Sequence, residues 1–184
     1  LIKDRLALES MRTVDTVVFD KTGTLTKGTP AVTAIDPVSG IEADQLLAWA
    51  AAAEADSEHP LARAIVNAAK EKTLPVPSSS DFESSPAVGV RAHVDGHVVQ
   101  VGGPYMLEQE HAQELAVADE WRNEGAIILH VLVDGQVAGA LRLADEIRSE
   151  SRHAVEALHE RGVQVVMITG DADAVAASVA GELG

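Results

Sequence analysis

The stretch "FDKTGTLT" at residues 19–26 places an acid between an apolar run and a loop of small polar residues. The run at 14–19 is rich in β-branched residues and predicts a buried strand that ends at Asp20. The hydroxyl and glycine residues at 22–24 predict a tight loop after it. Because ligands bind at the carboxyl ends of strands in open α/β sheets, we expect Asp20 to lie at a functional site.

A second apolar run, "VQVVMITGD" at 163–171, also ends in an acid, Asp171. The hydroxyls and backbone N–H groups of 22–24 and of 169–170 are groups that bind phosphate oxygens. A carboxylate beside them could attack phosphorus and form an aspartyl phosphate. Thr22 occupies the position where a hydrolase of this kind needs an acid or base, so we expect slow hydrolysis of that intermediate.

Composition limits the classes of function. The chain of 184 residues is 46% hydrophobic and only 3% aromatic, so its core must be mainly aliphatic. The formal charge of −15 argues against nucleic acid as a partner. Cysteine is absent, which excludes disulfides and thiolate metal sites in these residues. Apolar runs are too short to insert in a membrane and the first residues do not resemble a signal peptide, so we expect a cytosolic chain.

Charge is unevenly distributed along the chain. Residues 36–125 carry sixteen acidic and five basic side chains, whereas 1–35 carry four and five, and 126–184 carry nine and four. This distribution predicts domain boundaries near residues 35 and 125.

The local patterns predict strands at both ends of the chain and hairpins in its middle. We expect a parallel α/β domain with an inserted antiparallel α+β domain. The predicted helices cover 4–12, 42–55, 60–72, most of 104–124, 145–162 and 172–184, and the predicted hairpins cover 87–103 and 126–143, with 74–86 as a loop.

Four motifs together resemble those of P-type ATPases, within the haloacid-dehalogenase-like superfamily. "DKTGTLT" (20–26) is similar to their phosphorylation signature, and "TGD" (169–171) and "DEIR" (145–148) are similar to two further motifs. "SEHPLARAI" (57–65) resembles the His-Pro motif of the heavy-metal-transporting subclass. The resemblance covers essentially the whole chain and favours a copper-exporting pump.

The resemblance implies a domain organisation and a function. A Rossmann-like phosphorylation domain would consist of 1–35 and 126–184, with the nucleotide-binding domain at 36–125 between them. ATP and Mg²⁺ would be the cofactors. The residues implied at the catalytic site are Asp20, Lys21, Thr22, Thr24, Thr169, Gly170 and Asp171.

Individual roles follow from the matching positions. ATP would phosphorylate Asp20, and Asp20 would hold Mg²⁺ together with the carbonyl group of Thr22. The small residues Thr24, Thr169 and Gly170 would bind the phosphoryl group, with Asp171 close by.

The nucleotide would be held by residues outside that loop. Glu54 and His59 resemble the pair that contacts adenine, although His59 alone would be an ordinary residue at a helix start. The nucleotide-binding residues implied are Glu54, His59, Gly89, Gly102, Asp145 and Arg148.

The chain departs from the family pattern at two places. Ala87 replaces the first glycine of a Gly-x-Gly turn, so we expect its methyl group to narrow the pocket or to require a negative φ. The later acidic loop and a phosphate-binding lysine would lie beyond Gly184. We therefore expect a cytosolic piece of a membrane pump that binds ATP with little turnover, and whose partners are the pump's transmembrane helices and actuator domain.

Two alternatives remain open on the residues alone. One is a free-standing phosphatase of the same superfamily, which Thr22 and the His-Pro segment disfavour. The other is a nucleotide-binding module without catalytic activity.

Overall fold

The computed structural model describes residues 13–184, which form two compact units. Unit 1 consists of the described residues up to Gly28 together with Ile147–Gly184, and unit 2 consists of Thr29–Glu146. The helix expected at 4–12 lies outside the described residues. Within 13–184, no helix is both long enough and apolar enough to span a bilayer.

The described residues form eight strands and six α-helices. The strands are β1 (Thr16–Asp20), β2 (Thr26–Pro37), β3 (Ser79–Ser85), β4 (Gly89–Val94), β5 (His97–Gly102), β6 (Ile127–Val133), β7 (Gln136–Ile147) and β8 (Gln164–Ile168). The helices are α1 (Ala43–Ala53), α2 (Pro60–Glu71), α3 (Pro104–Gln109), α4 (Val117–Asn123), α5 (Ser149–His159) and α6 (Asp173–Leu183). A single wide turn, Lys21–Leu25, joins β1 to β2.

Unit 1 is built on a parallel pair of strands. β1 and β8 lie side by side with Val18 opposite Val166 and Asp20 opposite Ile168. Phe19 of β1 and the alternate residues Val165 and Met167 of β8 contribute to one apolar cluster with α5 and α6, since side chains alternate between the two faces of a strand. The members of this cluster are Phe19, Leu25, Ile147, Val155, Val165, Met167, Val179 and Leu183.

Unit 2 is built on a six-stranded sheet in the order β2-β7-β6-β5-β4-β3. One face packs against α1 and α2, where four successive alanines, 50–53, are almost completely buried. The other face packs against α3 and α4. Along β6, Leu129 and Val131 lie on the first face, whereas Ile128 and Leu132 lie on the second. The sheet is therefore covered on both sides by apolar helix surfaces.

Several expectations are confirmed. The chain is α/β, with a parallel strand pair at its ends and an antiparallel sheet between them. α2 begins at Pro60, as predicted for a proline in the first turn. Both hairpins turn at an Asp-Gly pair, 95–96 and 134–135, and all four residues have positive φ, which is typical of a type I′ turn.

The unit boundaries differ from those expected from charge. The contacts divide the chain at 28/29 and 146/147, so the hairpin β6–β7 belongs to unit 2. The reason is strand pairing: β6 is hydrogen-bonded to β5, with Val99 opposite Val133. Net charge reports on exposed side chains and does not report which strands pair.

Three local assignments were wrong or incomplete. The segment 74–86, predicted as a loop, contains β3. β3 is an edge strand, and its polar sequence lacks the alternation of apolar residues that predicts a strand. β2 was not predicted, and it contains a glycine and two prolines. The helix predicted at 145–162 begins only at Ser149, because 145–147 continue β7.

The turn between β3 and β4 contains a strained residue. The N–H group of Val88 donates to the carbonyl of Ser85 at 3.1 Å, which closes a turn with Pro86 and Ala87 at its centre. Ala87 has a φ of +64°, contrary to the expected negative value. Proline followed by a residue with positive φ is the pattern of a type II turn, whose second central position favours glycine.

Replacing Ala87 with glycine should stabilise unit 2 by about 0.5 to 1 kcal/mol, because glycine adopts this φ without steric cost. Gly89→Ala is the matched control and should destabilise, since a Cβ atom there would lie 2.1 Å from the carbonyl oxygen of Val101. Urea unfolding followed by tryptophan fluorescence measures both changes. An Ala87→Gly chain that is less stable than its parent would contradict the strain.

Candidate functional site

Asp20 lies at the carboxyl end of β1 and is exposed to solvent. β1 pairs with β8, and Thr169, Gly170 and Asp171 follow the end of β8. Parallel strands end at the same edge of a sheet, so the two polar loops lie side by side. The structure thus brings together two motifs that the sequence separates by the whole of unit 2.

An ion pair joins the two loops directly. The Lys21 Nζ atom lies 2.9 Å from Asp171 Oδ2, and the Lys21 side chain is only 6% exposed. Thr169 donates its hydroxyl hydrogen to the same oxygen at 2.6 Å, and the Asp171 N–H donates to Thr169 Oγ1. The hydrogen bond from Thr169 and, after it, the contact with Lys21 lower the pKa of Asp171. Asp171 is therefore held as a carboxylate beside the loop that carries Asp20.

The turn Lys21–Leu25 is held by hydrogen bonds to its carbonyl groups. The buried Thr26 donates its hydroxyl hydrogen and its N–H to the carbonyl of Lys21. Gly23 takes a φ of +78°, which lets the chain reverse within the turn. Thr22 and Thr24 stay exposed.

Arg148 and Ser151 support the same turn from α5. The Arg148 side chain donates from Nε to the carbonyl of Thr26 at 3.0 Å and from Nη2 to that of Gly23 at 3.2 Å. The carbonyl of Leu25 accepts from the Arg148 N–H and from the Ser151 hydroxyl. Arg148, expected to bind nucleotide, thus uses two guanidinium nitrogens on backbone carbonyls, a contact that the sequence reasoning missed.

The loop offers oxygen ligands to a divalent ion. Mg²⁺ prefers oxygen and is often bound by one or two carboxylates together with substrate phosphates. The exposed carboxylate of Asp20 and the carbonyl of Thr22 fit that requirement. Within 13–184 no group of three or more His, Asp or Glu side chains is arranged to hold a metal ion. These residues therefore fit an ion that phosphate oxygens help to bind.

In unit 2, Glu54 and His59 lie at the two ends of the connection between α1 and α2. Glu54 is the C-cap residue of α1 and is only 5% exposed. Its Oε2 atom has no hydrogen-bond partner among the described residues. Burial raises the pKa of Glu54 to about 7, although a hydrogen bond with Ser57 acts in the opposite direction. Glu54 is thus a carboxyl group that changes charge near neutral pH.

His59 caps the N-terminus of α2. Its Nδ1 atom accepts the N–H of Leu61 at 3.2 Å, and the residue is exposed. This bond fixes the proton of a neutral ring on Nε2. The capping contact accounts for the histidine as a structural residue and leaves its other ring nitrogen and its face open.

Gly89 and Gly102 form a cross-strand pair between β4 and β5. A Cβ atom at Gly102 would lie 2.2 Å from the carbonyl oxygen of Val88, so both glycines are required by close backbone packing. α1 packs against both of these strands. Asp145 lies near the end of β7, in unit 2.

Two further polar residues were missed by the sequence reasoning. Ser151 was read only as part of an amphipathic helix. His130 lies on β6 and is completely buried. The alternation of Ile128, His130 and Leu132 along the strand was the signal that could have revealed it, because it places all three on one inward face.

Comparison with known proteins agrees with this geometry. Residues 14–184 match the haloacid dehalogenase-like hydrolase family. The chain belongs to that family. It is 45% identical to the copper-exporting P-type ATPase of Legionella pneumophila, over all of this chain and 25% of the relative. The chain therefore spans about a quarter of the length of that relative.

Solved structures of related ATPases have the same fold. A zinc-transporting PIB-type ATPase in its E2.Pi state is 37% identical, with a TM-score of 0.85, over all of this chain and 30% of that one. A catalytic domain of a CPx-ATPase, studied for its conformational changes upon nucleotide binding, is 28% identical with a TM-score of 0.61, over all of this chain and 65% of that one. This family member thus resembles pumps for more than one metal.

The raised pKa of Glu54 predicts that unit 2 loses stability as pH rises. The folded chain keeps the proton up to about pH 7, whereas the unfolded chain releases it near 4.5. The stabilisation is therefore complete below pH 4.5 and lost above pH 7, a change of roughly 3 kcal/mol. Urea unfolding at several pH values measures it.

Glu54→Gln should remove this pH dependence, and the exposed Glu58→Gln should keep it. If the Glu54→Gln chain retains the slope, the carboxyl group is not the source.

The hydrogen bond from Ser151 predicts a local effect in unit 1. Ser151→Ala should cost about 1 kcal/mol, because Leu25 O keeps only the Arg148 N–H as a partner. Amide hydrogen exchange in β1 and β8 measures the loss by NMR. Ser149→Ala removes an exposed hydroxyl that contacts Glu150 and should leave exchange unchanged. Equal exchange in both variants would exclude a supporting role for Ser151.

Proposed function

We propose that this chain is the ATP-binding and autophosphorylation region of an ATP-driven heavy-metal export pump. The observation that carries the proposal is the Lys21–Asp171 ion pair, which holds the Thr169–Asp171 loop beside the exposed Asp20. The exposed Asp20 carboxylate, the exposed Thr22 and Thr24, and the Thr169–Asp171 loop then lie at one edge of the β1–β8 pair. Such a loop suits an acceptor of a phosphoryl group.

The reaction proposed at this edge is phosphoryl transfer to Asp20. A carboxylate oxygen of Asp20 forms a bond to the γ-phosphorus of ATP, the bond to the β,γ-bridging oxygen breaks, and ADP leaves with the electron pair. Thr24 would bind the transferred group through its hydroxyl, and Thr169 and Gly170 would bind it through backbone N–H groups, since the Thr169 hydroxyl donates to Asp171. Lys21 fixes Asp171 beside them.

Mg²⁺, when bound, neutralises charge on the phosphates. Asp20 and the Thr22 carbonyl would hold it. Since Thr22 has no proton that titrates near neutral pH, it cannot activate water for hydrolysis of the acyl phosphate. The chain by itself should therefore bind nucleotide with little turnover.

We assign nucleotide binding to unit 2. The imidazole ring of His59 can stack on adenine or donate from Nε2, and Glu54 can accept from the exocyclic amine or, when protonated, donate to a ring nitrogen. We keep Gly89 and Gly102 as residues that contact nucleotide through their backbone only, since the carbonyl oxygens of Val101 and Val88 fill the space that a Cβ atom would need at each. Arg148 acts here by supporting the acceptor loop, and we keep Asp145 as a residue at the edge of the nucleotide site.

The remainder of the pump would supply transmembrane helices and an actuator domain, and this region would lie on the cytosolic side of the membrane. Copper is the metal that we propose, since the relative described above exports it.

Titration calorimetry of ATP tests the nucleotide role. The parent chain should bind in the micromolar to millimolar range, about −4 to −8 kcal/mol. His59→Asn should weaken binding at least about tenfold, because asparagine keeps the helix cap but lacks the ring. His111→Asn, at an exposed histidine of the same unit, is the control.

Absence of binding by the parent would reject the nucleotide role, and equal binding by His59→Asn would reject His59. Asp20→Asn should bind ATP like the parent and should lack any hydroxylamine-sensitive phosphate label. Release of phosphate from a simple phosphomonoester would favour a phosphatase instead.

A further inference from the structure

His130 is a titratable residue in the interior of unit 2 that the proposed reaction does not use. Its exposed fraction is 0%, and neither ring nitrogen has a hydrogen-bond partner among the described residues. A neutral imidazole can be buried in this way at moderate cost, whereas a buried imidazolium without a partner is much more costly. The site is therefore compatible with only one of the two charge states.

The residues on either side of His130 along β6 make contacts that hold two short helices on the sheet. Ile128, on one side along β6, packs with Trp121 of α4, and Leu132, on the other side, packs with Met106 of α3. α3 has six residues and α4 has seven. Helices this short are not stable alone, so their position depends on the packing around His130.

His130 also lies in a row with the two paired glycines. Across the strands, Gly89 pairs with Gly102, Gly102 with His130, and His130 with Ala140. Met106 of α3 lies against Gly102 as well, since a Cβ atom there would be 2.8 Å from its sulfur atom. Movement of α3 would therefore disturb Gly102 and its partner Gly89.

The charged groups near His130 do not supply a free partner for an imidazolium. Glu114, before α4, and Arg122, on α4, act on the ring electrostatically, but Arg122 donates to Glu114 and to Asp119. On the same sheet face, Arg142 of β7 donates to Glu124. Glu110, after α3, accepts from Gln100 of β5. Each of these carboxylates already has a donor.

We propose that His130 is an acid-sensitive latch: the neutral ring lets α3 and α4 close on the sheet, and its protonation releases them. Burial is the main cause that lowers the pKa of His130 below its usual 6.5, with Glu114 raising it and Arg122 lowering it. The contribution of the neutral His130 ring to the stability of unit 2 is therefore fully present above pH 6.5, and it is lost as pH falls through the lowered pKa. This sign is opposite to that of Glu54.

The latch has a consequence for the ligand, which rests on the proposed function. Release of α3 loosens the Gly102 backbone, so acid should weaken ATP binding.

Fluorescence of Trp121 tests the latch without any nucleotide. The chain has two tryptophans, so Trp49→Phe leaves Trp121, on α4, as the sole emitter. In this background the emission should shift to longer wavelength below pH 6.5, before global unfolding. His130→Leu should abolish the transition and retain the fold, because an apolar side chain needs no partner. His111→Gln should leave it unchanged.

Two charge variants give opposite signs. Glu114→Gln removes a carboxylate near the ring and should move the transition to lower pH. Arg122→Gln removes a cation and frees Glu114, so it should move the transition to higher pH, by about half a pH unit or more. A purely structural role of His130 would not produce shifts of opposite sign.

NMR titration of the His130 ring in the parent chain is a second measurement that needs no variant. A normal or raised pKa, or an unchanged acid transition in His130→Leu, would overturn the proposal. ATP titration on the two sides of the Trp121 transition, in the parent and in His130→Leu, separates the ligand consequence, because Glu54 titrates in both chains. If the affinities of the two chains change equally with pH, the latch stands and its coupling to nucleotide is rejected. Absence of ATP binding at both pH values rejects the proposed function and leaves the latch standing.

Discussion

The parallel pairing of β1 with β8 is the constraint on which the rest of unit 1 depends. These strands come from opposite ends of the described chain, and their register sets Asp20 opposite Ile168. Lys21 then reaches Asp171, and Arg148 reaches the carbonyls of the turn. Phosphoryl transfer requires little covalent chemistry from a protein and much positioning. The ion pair and the carbonyl contacts supply rigidity for a loop of small, exposed residues.

Unit 2 shows how an interior poor in aromatic residues can still be packed. Successive alanines on α1 let the helix approach the sheet closely, and Val, Leu and Ile fill the remaining space. Two ionisable side chains, Glu54 and His130, are buried in this apolar environment. Burial favours the neutral form of both. Glu54 is neutral below its raised pKa, whereas His130 is neutral above its lowered pKa. Unit 2 is therefore most tolerant of their burial over a limited range of mildly acidic to neutral pH.

Much of the fold could be predicted from sequence where residue type alone decides the conformation. The Asp-Gly pairs fixed both hairpin turns, and Pro60 marked the start of α2. β3 could not be predicted in this way, because an edge strand has one partner only and tolerates serine and acids on its open side. The close contact of Lys21 with Asp171 required knowledge of strand pairing. Ala87 was interpreted from its preferred φ, but the turn with Pro86 overrides that preference.

The position of β2 and β7 in the sheet has a consequence for modularity. The chain enters unit 2 along one strand and leaves along its immediate neighbour. Two ends that emerge side by side can be joined to a surface loop of another protein with little cost in loop-closure entropy. Unit 2 thus has the geometry of a domain that can be inserted into a surface loop of another protein in one step, without rearrangement of that protein's own sheet.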